Sequence, residues 1–222
     1  MSNDRTDTVG VDDLVAWLRR SDELITENAA YLTDLDAAIG DADHGSNMKR
    51  GLAAVVKALD DGEFETVDAL MKKVGSTLVS AVGGASGPLY GTFFLRFGTS
   101  QKEQTELDAS QLHAALRAGV EGIEQRGKAT IGEKTMLDAW VPALDAYAEQ
   151  DDGLAGKVFA GARAAAAGRD ATADLVATKG RASYLGDRSV GHIDPGAAST
   201  ALLWRAMAEA LGVVPEGSTE LA

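Results

Sequence analysis

The chain contains no cysteine, which removes disulfides, thiol nucleophiles and thiolate-bound zinc from consideration. Positive charge is also scarce: 21 Lys and Arg stand against 34 Asp and Glu, a formal net charge of −13. Nucleic acid and anionic membrane both demand a basic face, so neither is an expected partner. A phosphate ligand stays open if metal ions bring the positive charge. No apolar run approaches a signal-peptide core or a membrane span, and the expected location is the cytoplasm. Aromatic residues are only 5% of a chain that is 45% hydrophobic, which points to helices meeting through small side chains. No stretch is rich enough in Pro, Ser or Gly to act as a linker. At 222 residues the chain can bury one sizeable core. The expectation is a single domain over 1–222, with mobile tails at about 1–10 and 214–222.

What the sequence does contain is helical periodicity, nearly throughout. Leu14, Val15, Leu18, Leu24 and Ile25 begin a first helix that runs to about Asp36. Val55, Val56 and Leu59 mark a second, and Val67, Leu70, Met71, Val74 and Leu78 a third. Gly87-Pro88 opens a fourth, with proline where a first-turn N–H needs no partner. Asp108 and Gln111 form a box-like start to a fifth, which carries Leu112, Leu116, Val120 and Ile123. A sixth follows Thr135, a seventh covers Leu154 to about Ala177, and an eighth follows Pro195. No alternating segment of strand length stands out. The predicted class is all-α, about eight helices in one bundle.

The most informative segment is Asp36-Ala37-Ala38-Ile39-Gly40-Asp41-Ala42-Asp43-His44-Gly45-Ser46-Asn47. Asp41 and Asp43 alternate, so an extended segment points both to one side, and Asp36 from the preceding helical turn can converge on them. Like charges that close repel unless a cation joins them. Oxygen ligands without sulfur suit magnesium or calcium. The competing reading is a solvated acidic loop in which Asp43 or Ser46 caps the next helix.

Four loops combine glycine with polar residues just before a helix: Gly40 to Asn47, Gly83 to Gly87, Gly127 to Thr135, and Gly180 to Gly196. In an up-and-down bundle alternate loops share an end, so all four can meet at one rim. Free N–H groups at helix starts, glycine for close approach and clustered carboxylates together make a phosphate site. The segment Gly127 to Thr135 has the outline of a P-loop, but Glu133 stands where lysine should follow glycine. Asp41-Ala42-Asp43 opens like an EF-hand, yet Leu52 occupies the glutamate position. His44 and His192 sit inside the glycine loops, where they contact phosphate or brace the loop. His113 lies on a helix, as a surface or core-edge residue. Arg181 and Arg188 are the cations best placed for phosphate oxygens. Leu89, Phe93 and Met136 read as core, Met136 least firmly.

Gly40 to Gly45, Gly83 to Phe94, Gly132 to Met136 and Gly180 to Ala197 resemble, in order and spacing, the nucleotide-binding L subunits of dihydroxyacetone kinases. The resemblance runs from about Leu14 to Leu211. It implies an antiparallel eight-helix barrel with the nucleotide at one end. It also implies two Mg2+ ions held by Asp36, Asp41 and Asp43. By the same resemblance ADP or ATP would touch His44, Gly45, Ser46, Asn47, Ala85, Ser86, Gly127, Met136, Arg181, Asp194, Pro195 and Gly196. Residues at helix starts would hold phosphate, and Met136 would lie against the adenine.

No catalytic side chain is expected within this chain, since phosphoryl transfer rests on metal clamping and alignment. The implied partners are a K subunit that binds dihydroxyacetone and an M subunit whose phosphohistidine rephosphorylates ADP in place; a homodimer is compatible. Two alternatives stand beside this. One is the small subunit of an ATP-dependent kinase for dihydroxyacetone or another short ketose such as erythrulose. The other is a regulatory module that responds to nucleotide state.

Overall fold

The computed structural model describes residues 7–214. Nine α-helices carry the fold among these residues: α1 (Val11–Glu27), α2 (Ala29–Ile39), α3 (His44–Asp60), α4 (Val67–Ala81), α5 (Ser86–Ser100), α6 (Ala109–Gly127), α7 (Leu137–Glu149), α8 (Gly153–Ala171) and α9 (Pro195–Ala210). The all-α expectation holds, with differences in detail. The single first helix is in fact two, because Asn28 interrupts it. Both its backbone N–H and its Nδ2 donate to the Leu24 carbonyl, at 3.1 and 2.8 Å, a side-chain competition with the helical ladder. The helix expected to reach Ala177 ends at Ala171 and passes into a 3₁₀ turn, Thr172–Asp174.

Two short strands were not anticipated. β1 (Thr8–Gly10) pairs antiparallel with β2 (Glu106–Asp108), and three residues are too few to display an alternating pattern. Residues 8–10 were expected in a mobile tail and instead form β1. Val214, also expected in a mobile tail, is described and buried, while 1–6 and 215–222 lie outside the described residues. No helix among the described residues is long and apolar enough to cross a membrane.

With α2 set aside, the helices close a ring. Each packs on its sequence neighbour from α3 to α9, α3 packs on α1, and α9 returns onto α1. Small residues serve the helix contacts as expected: Ala115, Ala162, Ala165, Ala206 and Ala208 are all buried. The few aromatics are concentrated inside the ring. Trp17, Phe93, Phe94, Trp140 and Trp204 come from α1, α5, α7 and α9 and touch in series. Phe93 stacks on Trp140 at 4.4 Å, and Trp140 meets Trp204 at 5.7 Å. Such pairs add to the burial of large apolar area. The interior is therefore rigidly filled, and the loops at one end hang from a fixed frame.

Candidate functional site

The acidic cluster is built by the end of α2 folding back on itself. Asp36 sits in the last turn of α2 and is 8% exposed. Its Oδ2 accepts the backbone N–H groups of Asp43, at 2.8 Å, and His44, at 3.2 Å. Gly40 makes room for this: a Cβ there would lie 2.0 Å from Asp36 Oδ1. Asp41 and Asp43 do not converge as alternate residues of an extended segment. Ala42 between them takes a left-handed φ of 60°, a conformation that costs about 1 kcal/mol or more for alanine, and the turn brings the carboxylates together. Each of Asp36, Asp41 and Asp43 offers an oxygen within 4.8 Å of the others. All three donors are hard carboxylate oxygens, the type that magnesium and calcium take. The cluster already draws one cation, Arg181, whose guanidinium pairs with Asp41 Oδ2 at 2.9 Å.

The competing capping reading fails on geometry. Asp43 occupies the N-cap position of α3 without a side-chain capping bond, and Ser46 Oγ donates to the Asp43 carbonyl at 2.9 Å. The Asp43 carboxylate is left to the cluster.

All four glycine loops meet at one rim. A cavity of about 190 Å³ is lined by Asp36, Ile39, Gly40, Asp41, Asp43 and His44, by Gly83 to Ser86, by Lys134 to Met136, by Lys179 to Ala182 and by Asp194 to Gly196. Beside it lies a second cavity of about 260 Å³ that shares Ala85, Leu89, Thr135, Met136, Lys179 and Gly180 and adds Pro88, Ile123, Arg126, Gly127, Ala129 and Leu137. One compartment is acidic and rich in helix starts; the other is walled mainly by aliphatic side chains, together with Arg126 and Lys179. Leu89 and Met136, read from sequence as core, form the partition between them, while Phe93 is core as expected.

Of the residues singled out from sequence, the structure places Asp36, Asp41, Asp43, His44, Ala85, Ser86, Met136, Arg181, Asp194, Pro195 and Gly196 on the first cavity. Gly127 lies on the second. Gly45, Ser46 and Asn47 line neither. Gly45 lies against α2, where a Cβ would fall 2.0 Å from the Ala29 carbonyl oxygen. Asn47 is buried and accepts from the Arg50 guanidinium at 2.6 Å. His192 and Arg188 are exposed and also off the wall.

Sequence reasoning missed Lys134. It is 1% exposed with a left-handed φ of 61°. Its ammonium donates to the Thr172 carbonyl at 2.5 Å and to the His192 carbonyl. It thereby ties the loop before α7 to both ends of the loop before α9. Asp138 was missed too; it accepts from Gly132 N at 2.5 Å and Thr135 N at 2.7 Å. The Thr135-to-Asp138 spacing is a capping signal that could have revealed it.

Burial sets the protonation of the wall. It pushes His44 down to about 4, against the opposing pull of Asp36 and Asp43, so the imidazole is neutral at neutral pH. Its Nε2 lies 2.9 Å from Ser199 Oγ and its Nδ1 3.1 Å from Ser86 Oγ. Burial pushes Asp194 up to about 7, opposed by the Ala197 N–H and the Lys134 charge. The same residue caps α9, accepting from Ala197 N at 2.7 Å.

The family model described as the DAK2 domain matches residues 38–209, a span that holds every loop of this rim. The chain belongs to the DAK2 domain family. It is 50% identical over 191 residues to the ADP-binding subunit of PEP-dependent dihydroxyacetone kinase 1 of Listeria innocua, covering 86% of this chain and 92% of that one. It is 47% identical over 202 residues to the ADP-binding subunit of the PTS-dependent dihydroxyacetone kinase of Lactococcus lactis, covering 90% and 97%. Among solved structures it is similar to the dihydroxyacetone kinase of C. freundii in complex with AMP-PNP and Mg2+, with a TM-score of 0.72 at 24% identity. That match covers 94% of this chain and 36% of that kinase. It supports the DAK2-type helical fold, so this chain spans about a third of the solved enzyme.

Proposed function

We propose that this chain is the nucleotide-binding subunit of a dihydroxyacetone kinase. In this reading it holds ADP or ATP with two Mg2+ ions and passes a phosphoryl group to dihydroxyacetone on a separate K subunit. The observation that carries the reading is the convergence of Asp36, Asp41 and Asp43 on one point at the edge of an aliphatic pocket. The relatives support it, since two subunits named as ADP-binding match over nearly their whole length.

Each part of the rim has a role in this reading. Asp36, Asp41 and Asp43 hold the metal, and Asp36 also fixes the backbone of the turn that carries the other two. Magnesium bound there offsets carboxylate and polyphosphate charge and aligns the transferred group. The start of α5, which carries no side-chain cap, presents N–H groups to phosphate oxygens. Arg181 adds a guanidinium to the same side. Met136, Leu89, Ile123 and Ala129 form a slot for the adenine ring, with Gly127 at its edge. The triose site and the M subunit that restores the phosphoryl group lie on other chains.

The test mixes the purified chain with a K subunit and dihydroxyacetone and compares phosphoryl donors. Turnover with phosphoenolpyruvate and the phosphohistidine carriers, with ADP retained, supports the reading. Turnover with ATP alone, with rapid nucleotide exchange, assigns the chain to an ATP-dependent ketose kinase instead. Nucleotide binding without transfer to any ketose leaves a regulatory module.

A further inference from the structure

Three hydrogen bonds in series run from the barrel interior to the cavity wall, and the metal cluster has no need of them. The Tyr90 hydroxyl lies 2.8 Å from Ser199 Oγ. Ser199 Oγ lies 2.9 Å from His44 Nε2, and His44 Nδ1 lies 3.1 Å from Ser86 Oγ. Tyr90 and Ser199 are fully buried and His44 is 7% exposed, whereas Ser86 lines the cavity at the first turn of α5. The Tyr90 hydroxyl also lies 3.0 Å from Thr200 Oγ1 and 3.3 Å from the Gly196 carbonyl. The His44 ring has the Pro195 carbonyl as a further acceptor, so the polarity of the series is shared with these groups.

Two arrangements of the Ser199–His44–Ser86 part give both ring nitrogens a hydrogen bond along the series. Each hydroxyl has one proton, and a neutral imidazole has one N–H. Ser199 can donate to His44 Nε2 or to the Gly196 carbonyl at 3.0 Å. If it donates to Gly196, His44 must donate from Nε2 and Ser86 donates to Nδ1. Ser86 then shows only lone pairs to the cavity. If Ser199 instead donates to Nε2, with Tyr90 donating to Ser199, the His44 proton sits on Nδ1 and points at Ser86 Oγ. The Ser86 O–H is then free to donate into the cavity. A phosphate oxygen only accepts, so it pairs with the second arrangement and not the first.

We propose that Tyr90 and Ser199 are positioning residues that hold His44 as the Nδ1–H tautomer, so that Ser86 offers its O–H to a phosphate oxygen of the bound nucleotide. This rests on the nucleotide reading of the site.

The test reads the ring nitrogens of His44 by 15N NMR on histidine-labelled protein. The chain has three histidines, and His113→Gln and His192→Gln assign the other two. With MgADP bound at pH 7.5, the proton is expected on Nδ1. Ser199→Ala and Tyr90→Phe, which remove a hydroxyl with little change of volume, are expected to shift the ring toward Nε2–H. Affinity for MgADP should fall about tenfold in Ser199→Ala, the scale of one hydrogen bond to a charged group. A proton on Nε2 in the MgADP complex of the unaltered chain overturns the proposal, whether or not the variants fold. So does an unchanged tautomer in folded Ser199→Ala. A chain that binds no MgADP contradicts the nucleotide reading itself, and the relay with it.

Discussion

At the end of the barrel away from the cavity, α4 starts on Thr66, whose Oγ1 accepts from Ala69 N, and α6 starts on Asp108, which exchanges hydrogen bonds with Gln111 at 2.8 and 2.9 Å. Asp68 fastens that end further, accepting from Lys72 at 2.8 Å and from Glu103 N at 3.2 Å; the Lys72 hydrogen bond leads in holding its carboxyl down at about 2. At the cavity end, α5 starts on Ala85 with no side-chain cap, while the Asp43 and His44 N–H groups at the start of α3 are taken by Asp36 Oδ2. Every helix leaves N–H groups without intrahelical partners at its start. Where side chains satisfy them the result is stability, and where they stay open the result is a place for an anion. One fold thus spends the same chemical feature in two ways at its two ends. The division is not complete: α9 lies at the cavity yet is capped by Asp194, which forms part of the wall. Thr135 Oγ1 accepts from Leu137 N at the start of α7, and α8 starts on Asp152 without a side-chain cap.

That contrast can be broken by substitution. The largest effect is expected for Asp41→Asn, which removes one charge from the cluster without touching the barrel. Phosphoryl transfer by the reconstituted complex should fall by about 10³, the scale of several kcal/mol of lost charge stabilisation. The unfolding free energy should stay within about 0.5 kcal/mol. Next is Gly45→Ala, which forces α3 off the Ala29 carbonyl and should cost about 3 kcal/mol in denaturant unfolding.

A smaller, pH-dependent effect comes from Asp194. Its folded value is raised to about 7 from the ordinary 3.8, so the fold prefers the protonated acid. The stability this lends is fully present below about pH 4 and is lost as pH rises through 7. The ligand-free protein should therefore lose up to about 1.4 kcal/mol per pH unit across that window. Asp194→Asn keeps a capping oxygen and should flatten the slope. The smallest effect sharpens the comparison from the other end. Thr66→Ala should cost about 1 kcal/mol of stability and leave ADP affinity unchanged, since its cap faces no ligand.

Much of this was legible in the sequence. The 3.6-residue period carries the helices because each buries one stripe in the ring, and the alternation of glycine loops places the rim. The convergence of the three aspartates was legible, although for a partly wrong reason: a left-handed Ala42, not an extended segment, joins Asp41 to Asp43. Less was legible where tertiary contact overrides local pattern. Gly45, Ser46 and Asn47 look like loop residues, but α3 claims them because Asp36 takes up the N–H groups of Asp43 and His44 at its start. Nothing in the local sequence singles out Lys134, and only the fold shows two carbonyls from distant segments around its ammonium. The break at Asn28 and the strands β1 and β2 fall below the length at which periodicity speaks.

The central claim is that a divalent cation held by the aspartate cluster is what anchors the nucleotide. Calorimetric titration of ADP into the chain, with magnesium and again with a chelator, tests it most directly when repeated on Asp41→Asn. The account predicts binding that needs magnesium and is weakened at least tenfold by the substitution. ADP binding that is equal with and without magnesium, and equal in both proteins, would contradict it.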